Sequence, residues 1–280
     1  MALANITRLL STLIAANHIL HYHGILDAYG HISVRNPNNA FTFFLSRVMP
    51  PALVSSASDI VEYRIDDASP VDRNAPTGFA ERFIHSEAMK RYPTVNSVIH
   101  SHTPAVILYG ITKVPLLPAG QSGTVIGKNA PVFEIADYRL PSDPHLVTIR
   151  NARLGAALAS LFAGEDLGTN TSTSPANNVV LMRGHGMAVI SEDIETAVFR
   201  AIYTASVADI QRDAIMLAAL GGENGQPGRS GRIWYLSERE KRDIISQGTS
   251  FYLRGWELWV REVEVAAAGP IYQNSLSSPL

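Results

Sequence analysis

The stretch VNSVIHSHTPAVILYG, residues 95–110, restricts the fold more tightly than any other part of this chain. An apolar run ends in two histidines one residue apart, and a Thr-Pro pair follows at once. In a strand, side chains at i and i+2 project to the same face, about 7 Å apart along the chain. His100 and His102 can therefore converge on one point while Ser101 faces away. Thr103 and Pro104 read as the N-cap and first position of a helix. Three readings fit the pair by itself: structural histidines, a catalytic base beside a spectator, or two ligands of one metal.

The remaining segments alternate between strand and helix patterns. Ile6, Leu9, Leu10, Leu13, Ile14, Ala16 and Leu20 recur at helical spacing, with Gly24 as a stop. LDAYGHISVRNP holds a turn and a short strand, AFTFFLSRV and DIVEYRID are strands, and FAERFIHSEAMKRYP is a helix ended by Pro93. PVFEIADY and HLVTI read as short or edge strands, and NARLGAALASLFAG as a helix closed by Gly164. NVVLMRGHGMAVI reads as two strands around a Gly-His-Gly corner, followed by a long helix from Ile194 to about Leu220. Ser237 and Glu240 have the spacing of a capping box. SFYLRGWELWVREVEV is an amphipathic C-terminal segment. EDLGTNTSTSPANN and GGENGQPGRSG are expected to be mobile loops. No repeat or internal boundary interrupts the pattern, so one α/β domain over residues 1–268 is expected, with helices covering a sheet. Residues 269–280 are expected to form a flexible tail.

Composition narrows the chemistry. The formal charge is −2, from 23 basic and 25 acidic residues, which offers no electrostatic footprint for nucleic acid. There is no cysteine, so any metal must be held by His, Asp or Glu. Nitrogen and oxygen ligands suit zinc, iron, manganese or cobalt. No apolar run reaches the length of a membrane span, and the first segment lacks the basic start of a signal peptide. A cytoplasmic protein without membrane partners is the expectation.

His185 is the third candidate ligand. It lies between Gly184 and Gly186, where the backbone can turn tightly; an exposed hairpin histidine is the plain alternative. Together with His100 and His102 it would give three protein ligands and an open position, the pattern of catalytic rather than structural zinc. Glu81 and His85 lie four apart on the preceding predicted helix, hence on one face. Glu81 is a candidate acid–base residue or an ordinary solvated carboxylate, and His85 a site partner or a plain helix residue.

ERFIHSEAMKRYPTVNSVIHSHTPAVILYG, followed by VVLMRGHGMAVI, resembles the class II aldolase/adducin family over most of residues 6–215. The resemblance implies a divalent metal, zinc first, on His100, His102 and His185. It assigns acid–base catalysis to Glu81, which stands nineteen residues before His100 as the family pattern requires. It also implies a central, mostly antiparallel sheet flanked by helices and assembly as a homotetramer.

The departures bear on substrate. Where the family's sugar-phosphate aldolases carry Gly-Asn-hydrophobic-Ser, this chain has GHIS, with His31 replacing asparagine. Ser46 and Arg47 of LSRVMPP occupy the next phosphate element, and Phe79-Ala80 replaces Ser-Ser before the glutamate. Losing these hydroxyls and small donors argues against a phosphorylated sugar. DAYGHISVR and LSRVMPPALV look closer to a branch with decarboxylases of hydroxylated aromatic acids. Arg47 and Arg183 are candidate carboxylate forks, or structural ion pairs. Substrate binding is expected from Arg47, His31, Ser46, Arg183 and His85. The expected function is a metal-dependent, non-oxidative decarboxylase of a hydroxylated aromatic or unsaturated carboxylic acid. A retro-aldol lyase on a non-phosphorylated hydroxy-carbonyl compound, a non-haem iron oxygenase and an adducin-like binding protein are the alternatives.

Overall fold

Alternation along each strand decides which side chains the sheet sends to each face. In the computed structural model, which describes residues 4–127, 129–163, 174–221, 231–247, 252–266 and 271–277, seven strands form one sheet. They are β1 (His31–Arg35), β2 (Thr42–Ser46), β3 (Ile60–Arg64), β4 (Ser97–Ser101), β5 (Val132–Phe133), β6 (Val179–Met182) and β7 (Gly186–Ser191). Their order is β3-β2-β1-β4-β7-β6-β5, antiparallel throughout except for the parallel β5–β6 pair at one edge.

Ile32, Val34, Ile99, Leu181 and Val189 enter one apolar core, and Phe43, Leu45, Val98, Val180 and Ile190 the other. The first core is completed by α1 (Ile6–Tyr22), α3 (Pro104–Ile111), α5 (Ile194–Gly221) and α7 (Tyr252–Val265). The second is covered by α2 (Phe83–Arg91) and α4 (Ala152–Ser160), through Ile84, Met89, Leu154 and Leu158. Each fully buried aliphatic chain stabilises the fold by about 1.5–3 kcal/mol. The result is the single α/β layer architecture expected from the sequence.

Local chemistry sets the element ends. Asn5 and Asn151 cap α1 and α4 by accepting the N–H of Arg8 and Leu154. Ser237 and Glu240 form the expected capping box at the start of α6 (Glu238–Ile245). Arg35, at the end of β1, donates to the carbonyls of Met89 and Val95 and ties the C-terminal end of α2 to the sheet. Tyr92 donates to the Ala159 carbonyl and links the same end to α4.

Three expectations change. The segment FAERFIHSEAMKRYP opens with a 3-10 turn, Ala80–Arg82, before α2 begins at Phe83, so Glu81 and His85 do not share one α-helical face. HLVTI is irregular rather than a strand, because the Ile149 N–H is taken by a carboxylate instead of a strand neighbour. PVFEIADY pairs only at Val132–Phe133 and then turns into a 3-10 segment, Ile135–Tyr138, capped by Glu134. Residues 271–277 are docked against α1 and the loop after β2. Tyr272 packs edge-on to His18, Asn274 donates to the Ser11 carbonyl, and the Ser275 N–H donates to Ser55. Gly164, Gly269, Pro270 and most of the two polar loops lie outside the described residues. No described helix is long and apolar enough to cross a membrane.

Candidate active site

The central strands bring the histidines together. His31 on β1 pairs with His100 on β4, and His100 pairs with Ala188 on β7, all on the sheet face covered by α2. His102 lies just past the end of β4. His185 sits in the turn joining β6 to β7, where Gly184 has φ +65° and Gly186 has φ +150°. A Cβ on Gly186 would stand 1.9 Å from the Ser101 carbonyl oxygen, so only glycine lets this turn press against the end of β4. That close approach carries His185 to His100, with ring centroids 4.8 Å apart.

Glu81 enters from the 3-10 turn before α2. Its Oε1 accepts the Ile149 N–H at 2.8 Å, and its Oε2 lies 3.4 Å from His100 Nε2 and 3.5 Å from His185 Nε2. One ligand atom from each of Glu81, His100, His102 and His185 lies within 4.8 Å of all the others.

Hydrogen bonding on the far side of two rings tests whether this group suits a cation. His100 Nδ1 lies 3.1 Å from the Met187 carbonyl oxygen, and His102 Nδ1 lies 3.1 Å from the Asp27 carboxylate. Both acceptors require a proton on Nδ1, so Nε2 is the nitrogen each ring turns inward and the one whose lone pair a cation can take. These two Nε2 atoms are 3.1 Å apart. Facing lone pairs at that distance repel unless a cation lies between them. Adjacent nitrogen ligands of a tetrahedral ion, with bonds of about 2.0–2.1 Å, stand about 3.3 Å apart. The donor set fits a divalent metal.

Electrostatics agrees. Burial pushes the Glu81 carboxyl up, but the neighbouring His100, the His185 ring and the Ile149 N–H outweigh it and hold Glu81 at about 2. Burial, followed by the nearby His100, lowers His185 to about 4, and the same two causes lower His102. Asp27 also titrates low: burial opposes this, while N–H groups of Tyr29 and Gly30 and the His102 ring prevail. The group thus sets an anionic carboxylate against two rings, His102 and His185, that burial holds toward the neutral form metal binding needs.

A cavity of about 640 Å³ opens onto this group. Glu81, His102, His185 and His31 line it together with Thr148 and Arg150. Val48, Met49, Pro50 and Phe79 supply apolar wall. His31 lines the cavity beside Phe79. His85 is buried behind His31, with its Nε2 2.7 Å from His31 Nδ1. Arg47, Arg183 and Ser46 are not among the lining residues. Arg47 forms an ion pair with Asp59 at 3.1 Å, Arg183 is paired with Glu134, and Ser46 is buried in the β2–β3 ladder. Arg47 is held by a carboxylate of its own β2–β3 loop and Arg183 by one from the segment after β5.

The signature of the Class II Aldolase and Adducin N-terminal domain matches residues 11–212. The chain belongs to the class II aldolase and adducin family. It is 44% identical over 263 residues to the decarboxylase tropJ of Talaromyces stipitatus, covering 94% of this chain and 96% of that protein. It is 25% identical over 213 residues to a 3,4-dihydroxyphthalate decarboxylase of Arthrobacter keyseri, covering 74% and 77% of the two chains. Its fold is similar to that of the L-fuculose 1-phosphate aldolase of Glaciozyma antarctica, with a TM-score of 0.67 at 15% identity over 98% of this chain and 96% of the other.

Class II aldolases depend on a divalent metal, and Glu81 with the three histidines is a described group able to hold one. Sequence reasoning missed three residues at this candidate site. Asp27 orients His102; its only signal was an Asp three residues before a glycine in LDAYG, which reads as turn chemistry. Ile149 acts through its backbone and has no sequence signal. Arg150 follows it into the cavity wall and has no acidic partner among the described residues.

Proposed function

We propose that the chain is a metal-dependent, non-oxidative decarboxylase of a hydroxylated aromatic or similarly unsaturated carboxylic acid. At the coarser level it is an enzyme of the lyase type, as its family and its decarboxylase relatives indicate. One observation supports the finer reading above all: a single cavity joins Glu81, His102 and His185 to an apolar surface of Val48, Met49, Pro50 and Phe79 and to Arg150, an arginine with no carboxylate partner among the described residues. A flat unsaturated acid matches each of these surfaces.

His100, His102 and His185 would hold the ion, with zinc first among candidates for an all-imidazole set. Bound there, a divalent metal supplies Lewis acidity that stabilises negative charge on a substrate oxygen. The remaining steps belong to the protein. Arg150 binds a substrate carboxylate by its planar fork. The apolar residues, Phe79 above all, hold the ring and exclude water. Displacing water raises a carboxyl pKa, which brings Glu81 from an anion toward a proton donor. When the C–CO₂ bond breaks, its electron pair stays on the ring carbon; Glu81 delivers a proton there and regains one from solvent.

The test is a panel of mono- and dihydroxybenzoates incubated with zinc-loaded protein, with CO₂ and the phenol quantified. CO₂ and phenol in equal amounts are expected from at least one ortho-hydroxylated acid. Glu81→Gln should keep the metal and lose about 10²–10⁴-fold in turnover. Cleavage of a hydroxy-carbonyl compound, with no CO₂ from any acid, would replace this reading with a retro-aldol one.

A further inference from the structure

Behind the cavity lies a chain of three buried polar side chains that the steps above do not use. Ser33 Oγ is 2.6 Å from His85 Nδ1, and His85 Nε2 is 2.7 Å from His31 Nδ1. Ser33 and His85 are fully buried and His31 is 1% exposed. The Ser33 hydroxyl has no other hydrogen-bond partner among the described residues. A buried hydroxyl proton without an acceptor is costly, so the arrangement that satisfies it sends the Ser33 proton to His85 Nδ1, with the Val98 carbonyl beside the same ring as the competing acceptor. His85 then carries its own proton on Nε2 and donates it to His31 Nδ1. His31 is left with its single proton on Nε2.

We infer that His31 is a fixed hydrogen-bond donor to an anionic oxygen of the substrate, its tautomer set by Ser33 through His85. The contrast with its neighbours carries the point. His100 and His102 have their protons on Nδ1 and offer lone pairs, so they can ligate a cation. His31, with its ring centroid 5.2 Å from His100, has the opposite tautomer and cannot join them. It lines the cavity beside Phe79, where it can donate to a phenolate or carboxylate oxygen. A donor fixed in advance costs no reorganisation when charge develops on that oxygen. Ser33 and His85 are positioning residues that never meet the substrate.

The tautomer half of this inference is independent of the proposed reaction; the substrate half rests on it. Two-bond ¹H–¹⁵N correlations on ¹⁵N-histidine, zinc-loaded protein read each ring directly, with His31→Gln assigning the His31 signals. His31 and His85 should be Nε2–H tautomers, and His100 and His102 Nδ1–H tautomers. Ser33→Ala should shift His85 and His31 toward mixed tautomers with zinc content unchanged. Addition of 2-hydroxybenzoate should move the His31 Nε2–H proton downfield. His31→Ala should weaken 2-hydroxybenzoate at least tenfold without loss of zinc, and His31→Gln, which keeps an N–H donor, should restore part of that affinity. A proton on His31 Nδ1 in the unsubstituted protein would overturn the inference. So would the stated tautomers with no response of His31 to the acid. If instead His31 behaves as stated and no acid loses CO₂, the proposed reaction fails and the donor stands.

Discussion

His102 depends on a residue outside the His-x-His motif. The Asp27 carboxylate holds the His102 ring by Nδ1 and is itself fixed by the N–H groups of Tyr29 and Gly30. Asp27→Asn keeps the turn but removes the charge that makes His102 a strong ligand. Metal affinity should fall about 10–100-fold, measured by competition with a chelator; unchanged affinity would mean that His102 is oriented by packing alone. The arginines make a second comparison at this scale. Arg150→Ala should raise KM for the acid substrate by the loss of a charged hydrogen bond, about 1.5–3 kcal/mol. Arg47→Ala should leave KM in place, because Arg47 is committed to Asp59. The reverse pattern would restore the assignment drawn from the sequence. His-x-His, Gly-His-Gly and Glu81 were legible as a site because their residue types are unusual at those spacings. Arg150 was not, since one arginine in a chain looks like another until its partners are known.

At the scale of elements, the site depends on a turn and a ladder. The β6–β7 turn delivers His185 only because Gly186 approaches the Ser101 carbonyl at a φ that side chains rarely adopt. Gly186→Ala should combine backbone strain with overpacking and cost roughly 2–5 kcal/mol. Chemical denaturation should show this loss, and titration should show weaker metal binding. A variant with native stability and full metal affinity would show that the turn tolerates another path. Strands and helices with clear periodicity were legible in the sequence, including α1, β1–β4, β6, β7 and α5. HLVTI has a strand-like composition, yet its backbone serves Glu81 and leads into the Asn151 cap of α4. A tertiary demand on one N–H outweighed local preference.

For the whole molecule, buried histidines link stability to pH. His85 is held at about 3, by burial first and the nearby His100 second, and burial also lowers His31 well below its ordinary range. An unfolded histidine titrates near 6.5, so below that pH the unfolded chain takes up protons that these rings refuse. Stability is therefore present above about pH 6.5 and is lost as pH falls toward the folded values, by about 1.4 kcal/mol per pH unit for each such ring. Urea midpoints of chelator-treated protein should fall steeply between pH 6.5 and 5. Zinc should raise the melting temperature at pH 7 by binding only the folded state. A flat acid limb would show that the buried rings are already charged in the folded protein.

The family, the α/β class, the alternation that makes two cores, and the residue types able to bind a metal were all legible in the order of residues. These are carried by local spacing, which strand and helix geometry convert directly into shared faces. Tertiary structure decided which nitrogen of each histidine is free, which arginine reaches the cavity, and that Ser33 lies at the end of a chain leading to His31. Those facts depend on hydrogen bonds between residues up to 87 positions apart, as between His100 and Met187. No local pattern encodes them, because a proton's place on an imidazole is set by whichever group the fold brings against its other nitrogen.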